Sequence, residues 1–191
     1  MKNKKAESLT GPTYLTIIRI IISILVTVFI LVETPESRAI ALVLFVVASL
    51  TDFIDGRWAR KRKIVTNIGA FLDPLADKIL INLTFLSLVY LNLVPIWIFA
   101  IILVRDFSVD GMRMMSAREG KTISASIYGK LKTTSQMIAI IIIIINLILN
   151  LKFLEVIGDI TLYLALVLTV VSGADYLLKG YKEILSKPSH N

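Results

Sequence analysis

The chain has no cysteine and a single histidine. Disulfides and thiol chemistry are therefore excluded, although that alone leaves the compartment open. His190 lies in a polar tail and reads as inert. Charge is also scarce: Asp, Glu, Lys and Arg make up 18% of the 191 residues, against 56% hydrophobic ones. The mean hydropathy is +0.80. No ordinary soluble domain needs such a composition, and it describes an all-α integral membrane protein. No repeat or second domain is visible, so residues 1–191 read as one domain with a polar N-terminal segment, 1–11, and a polar tail, 181–191. The net charge of +7 is expected to reflect Lys and Arg in cytoplasmic loops and at anionic head groups rather than a nucleic-acid partner.

Six apolar stretches are expected to span a bilayer, each needing about 20 residues. They run from about Pro12 to Val32, Arg38 to Ala59, Gly69 to Leu91, Ile96 to Ser116, Lys130 to Leu149 and Val156 to Leu178. The short acidic segment Glu33-Thr-Pro-Glu-Ser ends the first, a tight turn over Asn92–Pro95 follows the third, residues 120–129 read as a loop, and Asn150–Glu155 precede the sixth. No small-x-small cleavage site follows the first span, so it reads as an uncleaved helix. Six spans put both termini on one side. That side holds nearly all the Lys and Arg outside the spans, while the opposite loops hold only Arg38 and Lys152. The charge bias makes it the cytoplasmic side. A prokaryotic plasma membrane is the expected location.

Against this oily background, residues 52–77 carry four aspartates: Asp52, Asp55, Asp73 and Asp77. The first two are three apart and the last two four apart, so on helices each pair shares one face. Gly69 precedes Asp73 by one turn, and Gly56 and Ala59 lie beside the first pair. Small residues there let a bulky ligand approach the backbone. Four facing carboxylates repel unless some are protonated or cations lie between them. All-oxygen sets suit Mg²⁺, Mn²⁺ or Ca²⁺, and two such ions about 3.5–4 Å apart are a common device for phosphoryl chemistry. A plainer reading remains open at this point: a salt-bridged loop in which Arg57, Arg60 and Lys78 pair with the acids.

The fourth span carries Arg105, Asp106, Asp110 and Arg113 on its cytoplasmic half, and Lys130 and Lys132 begin the fifth. Arg105 ends a long apolar run, where a charge needs a partner or a function. Arg113 follows about 80° around the helix and ~12 Å along it. One reading is internal pairing, such as Asp110 with Arg113. The other is a basic pocket for a phosphate, which the guanidinium fork suits.

The segment Asp52-x2-Asp55-Gly56-x2-Ala59-Arg60-x8-Gly69-x3-Asp73-x3-Asp77 resembles the signature of the CDP-alcohol phosphotransferases, integral membrane enzymes of phospholipid synthesis. The family commonly opens with Pro-Asn-x-Leu-Thr-x-x-Arg. Here Thr13 replaces the Asn of that stretch, while Thr16 and Arg19 match. Arg105-Asp-Phe-Ser-Val-Asp-Gly-Met-Arg113, Gly129-Lys130-Leu-Lys132-Thr133 and Ser172-Gly173-x-x-Tyr176-x-x-x-Gly180 resemble the phosphatidylglycerophosphate synthase branch, with Asp106 for Glu and Met112 for Leu.

The resemblance implies the family's six-helix fold and a CDP-diacylglycerol donor. It implies two divalent cations, Mg²⁺ or Mn²⁺, on Asp52, Asp55, Asp73 and Asp77, with Asp77 as general base. It further implies room for the nucleotide at Gly56, Ala59 and Gly69, a phosphate contact from Arg60, and glycerol 3-phosphate held by Arg105, Arg113 and Lys130. A homodimer in the lipid bilayer is implied as well. Other acceptors (inositol phosphate, serine, phosphatidylglycerol) remain alternatives within the family, and a divalent-cation transporter is the alternative from another class.

Overall fold

The computed structural model describes residues 11–62, 67–118 and 127–185. Within these, the side chains of residues 11–15, 52–62, 67–74, 77, 117–118, 128 and 179–185 lie outside the description. All described elements are helices: α1 (Gly11–Leu31), α2 (Pro35–Arg62), α3 (Asn67–Tyr90), α4 (Ile96–Arg118), α5 (Ile127–Leu149) and α6 (Lys152–Leu185). The helices form two compact units. One holds the chain to Leu91 with Leu147–Leu149, and the other holds Asn92–Asn146 and Asn150–Asn191.

In the first unit α1 packs on α2 and α3. Its buried stripe is Thr16, Arg19, Ser23, Val26 and Ile30, spaced alternately three and four apart so that it stays on one face. The stripe begins polar and ends apolar. Opposite it, Ile17, Ile18, Ile21, Ile24, Leu25 and Val28 are exposed. Oily residues outside and polar ones at the helix contact are the arrangement hydrocarbon surroundings favour. Ser23 and Thr27 donate to the carbonyls of Arg19 and Ser23 one turn earlier, so their hydroxyls are satisfied within the helix. Ala41, Phe45 and Ala48 on α2 and Ala76, Leu80, Phe85 and Leu88 on α3 complete this core.

In the second unit α4 packs on α6. Ile98, Ile102, Asp106 and Val109 are buried on α4, and Gly158, Leu162, Ala165, Thr169, Ser172 and Tyr176 are buried on α6. A Cβ on Gly158 would stand 3.3 Å from Ile143 Cγ1, so glycine sets how closely α6 approaches α5. Gln136 on α5 donates to Thr169 Oγ1 at 3.2 Å. Among the described residues, Gly129–Leu149 and Lys152–Leu178 are long and apolar enough to cross a membrane, and Thr16–Leu31 and Lys78–Tyr90 are shorter apolar stretches.

Several helix ends differ from the sequence expectation by two residues or more, the largest difference being the end of α6 at Leu185 rather than about Leu178. α2 starts at Pro35 rather than near Arg38. Thr34 Oγ1 accepts from Ser37 N at 3.3 Å, so Thr34 caps the helix and Pro35 takes the first position, where its missing N–H costs nothing. The expected loop over 120–129 gives up Ile127–Gly129 to α5; residues 119–126 lie outside the description. The break before α6 shrinks from Asn150–Glu155 to Asn150 and Leu151. Asn150 has φ 50°, and asparagine tolerates that left-handed conformation better than most residues. Its N–H bonds the Asn146 carbonyl at 2.8 Å, while the Asn146 side chain accepts from Leu151 N at 3.1 Å. One left-handed residue therefore reverses the chain. Asn92, φ 58°, is likewise left-handed, within the expected turn before Pro95.

Candidate active site

The aspartate segment belongs to the first unit. Asp52, Asp55, Gly56, Ala59 and Arg60 fall in the last turns of α2, and Gly69, Asp73 and Asp77 in the first turns of α3. Their side chains lie outside the described residues. The backbone is helical across both stretches, so the three- and four-residue spacings correspond to one face on each helix. Pro74 is the eighth residue of α3, beyond its first turn. Carboxylates offer only oxygen donors, the chemistry that a hard divalent cation takes.

The basic cluster belongs to the second unit and begins on α4. Arg105 Nη1 donates to Asp106 Oδ1 at 3.0 Å, and Nη2 donates to Ser172 Oγ on α6 at 2.9 Å. Asp106 also accepts from Lys132 Nζ on α5 at 2.7 Å at both oxygens. The Asp106 and Lys132 side chains are only 6% and 5% exposed. An ion pair this deep holds only when both partners stay in place. Among the described residues, the Asp106 carboxylate joins the Arg105 and Lys132 cations in one group. Arg105 Nε is buried with no acceptor among the described residues. A donor left so costs about 1–3 kcal/mol, which a ligand oxygen would recover.

Two turns further along α4, Arg113 reaches α6. Its Nε and Nη2 donate to the Tyr176 hydroxyl at 3.1 and 2.7 Å, and the guanidinium carbon lies 4.9 Å from the ring centre. Tyr176 is buried, whereas Arg113 is exposed. The pairing anticipated between Asp110 and Arg113 is thus not what orients this arginine; α6 does. Lys130 is exposed and Lys132 buried, because residues two apart point to opposite sides of a helix.

The structure therefore brings Arg105 and Arg113 onto α4 with partners on α6, and leaves Lys130 on an outward face of α5. It also gives work to residues that the sequence quoted without assigning a role: Asp106, Lys132, Ser172 and Tyr176. A buried lysine and a buried aspartate on apolar helices were the available signal. Beside Arg105, an apolar cavity of about 490 Å³ opens between α4 and α6, lined by Ala100, Ile101, Val104, Ser108 and Gly173 among others.

The chain is thus helical, with four aspartates on α2 and α3 and a buried network of Arg105, Asp106, Lys132 and Ser172 on α4, α5 and α6. The CDP-alcohol phosphatidyltransferase family profile matches residues 9–171, and the chain belongs to that family. Among its relatives is the CDP-diacylglycerol–glycerol-3-phosphate 3-phosphatidyltransferase of Bacillus subtilis (strain 168), 39% identical over 153 residues, 78% of each chain. A protein of the same description from Rickettsia bellii is 36% identical over 166 residues, 86% of this chain and 92% of that one. A probable phosphatidylglycerophosphate synthase of Mycobacterium tuberculosis (strain ATCC 25618 / H37Rv) is 36% identical over 148 residues, 78% and 69% of the two chains.

Proposed function

We propose that the chain transfers the phosphatidyl group of CDP-diacylglycerol to glycerol 3-phosphate, forming phosphatidylglycerol phosphate and CMP. The observation that carries this reading is the kinship itself: relatives so described share over a third of their residues with this chain across most of its length. The arginines support it independently. Two guanidinium groups eight residues apart on α4, each hydrogen-bonded to α6, suit an acceptor that carries a phosphate better than serine, which carries none.

In this reading Asp52, Asp55, Asp73 and Asp77 hold divalent cations, Mg²⁺ or Mn²⁺. When bound, the ions supply charge neutralisation at the pyrophosphate and at the departing CMP. The chain's own groups do the rest. Arg105, Arg113 and Lys130 hold the phosphate of the acceptor and so present its free hydroxyl. Asp77 takes the proton from that hydroxyl. The oxygen attacks the phosphorus that bears diacylglycerol, the anhydride bond to the CMP phosphate breaks, and CMP departs with the electron pair. Gly56, Ala59 and Gly69 leave room for the nucleotide, and Arg60 contacts one of its phosphates.

The same reading makes the chain one family domain, since the matched residues 9–171 run through both units. It makes α1–α6 six membrane spans, with both termini and the aspartates facing the cytoplasm of a plasma membrane, where the nucleotide is made and released. It also makes the chain a homodimer. The test is CMP release by purified protein in detergent–lipid micelles with CDP-diacylglycerol, Mg²⁺ or Mn²⁺, and one acceptor at a time. Release with glycerol 3-phosphate, abolished by EDTA, is expected. Release with inositol phosphate or serine in its place would keep the donor chemistry and overturn the acceptor.

A further inference from the structure

We propose that Ser172, Gly173 and Tyr176 are positioning residues for the reaction: one face of α6 that aims the two α4 arginines at the acceptor's phosphate. This rests on the reading that Arg105 and Arg113 bind that phosphate. Tyr176 follows Ser172 by four residues and Gly173 by three, so each lies one turn before it on the same side of α6. Each does something different to an arginine. The Ser172 hydroxyl accepts from Arg105 Nη2 at 2.9 Å and donates its own O–H to the Thr169 carbonyl at 3.0 Å. That donor–acceptor chain fixes the hydroxyl as an acceptor towards Arg105. Gly173 supplies space: a Cβ there would lie 2.9 Å from Arg105 Cγ, closer than side-chain carbons approach. The atom in the way is near the root of the side chain, so the whole arginine would have to move. Tyr176 accepts from Nε and Nη2 of Arg113, which leaves Nη1 and the second Nη2 hydrogen for a phosphate.

The hydrogen-bond directions argue against a packing role alone. A buried tyrosine needs a partner for its hydroxyl, but here that partner is a charged side chain whose remaining donors lie at an exposed position. A long, exposed arginine is otherwise free to sample many rotamers, and ordering it on binding costs affinity. Tyr176 removes that freedom beforehand. Asp106, pinned by Lys132, does the same for Arg105 from the other side.

The variants to compare are Tyr176→Phe, Gly173→Ala and Arg113→Ala, in full-length protein in mixed micelles, with KM for each substrate, kcat and thermal unfolding measured together. Tyr176→Phe keeps the ring and removes the hydroxyl that accepts from Arg113. It should raise KM for glycerol 3-phosphate about tenfold, leave KM for CDP-diacylglycerol and the Tm unchanged, and lower the preference for glycerol 3-phosphate over glycerol by a similar factor. Gly173→Ala should give the same split. Arg113→Ala tests the underlying reading. If Arg113→Ala raises the acceptor KM and Tyr176→Phe does not, the positioning role is wrong and the phosphate site stands. If Arg113→Ala leaves the acceptor KM alone, the phosphate site is wrong and the positioning role falls with it. A lower Tm with both KM values moving together in Tyr176→Phe would make Tyr176 a packing residue. Should Tyr176→Phe not fold, Ser172→Ala carries the same comparison on Arg105.

Discussion

Two kinds of charged residue stand out in this chain, and each makes its own prediction. Asp77 is assigned the proton of the attacking hydroxyl. Asp77→Asn keeps size and polarity but removes the base, so turnover should fall by at least 10²-fold while CDP-diacylglycerol binding, followed by equilibrium binding in micelles, persists. Undiminished turnover would remove Asp77 from that role. Arg113→Ala removes one of the three proposed phosphate ligands and should raise the glycerol 3-phosphate KM about tenfold or more, with little change for the lipid substrate. The aspartates were legible in the sequence because their message is spacing, and spacing on a helix is a property of the backbone alone. Tyr176 and Ser172 could be quoted but given no role, because their meaning lies in contacts with α4 that depend on how two helices pack. Lys132 was equally opaque: nothing in Gly-Lys-x-Lys-Thr says which lysine turns inward.

At the level of elements, the Asp106–Lys132 pair ties α4 to α5, and Gln136–Thr169 ties α5 to α6. Asp106→Ala leaves Lys132 as a buried charge without this partner, and breaking such a pair costs about 3–5 kcal/mol. A clear drop in Tm is expected, accompanied by a weaker grip on the acceptor because Arg105 loses one anchor. The double variant Asp106→Leu with Lys132→Met replaces the pair by apolar groups and should recover most of the Tm without recovering the acceptor KM. Recovery of both would show that the pair serves only the fold. The helix order and the approximate extent of each helix were readable from hydropathy. The starts of α2 and α6 were not, because Thr34 and the asparagines near 150 act through capping bonds and a left-handed residue, which hydropathy does not register.

For the whole molecule, the outward-facing apolar residues on α1 and the buried polar ones beneath them suit hydrocarbon surroundings. The absence of cysteine makes orientation directly measurable. A single cysteine replacing Glu33, in the α1–α2 connection, should react with a membrane-impermeant maleimide added outside intact cells. One replacing Lys4, in the N-terminal segment, should react only after the membrane is opened. The reverse pattern would invert the topology and place the aspartates away from the cytoplasmic nucleotide pool. The chemistry itself is tested most directly by following the acceptor. With CDP-diacylglycerol, Mg²⁺ and glycerol 3-phosphate labelled in both carbon and phosphorus, both labels should enter the lipid fraction at their starting ratio, with one CMP released for each. CMP released with no label entering lipid would contradict transfer to glycerol 3-phosphate. Carbon label arriving without its phosphate would contradict an acceptor held by, and retaining, that phosphate.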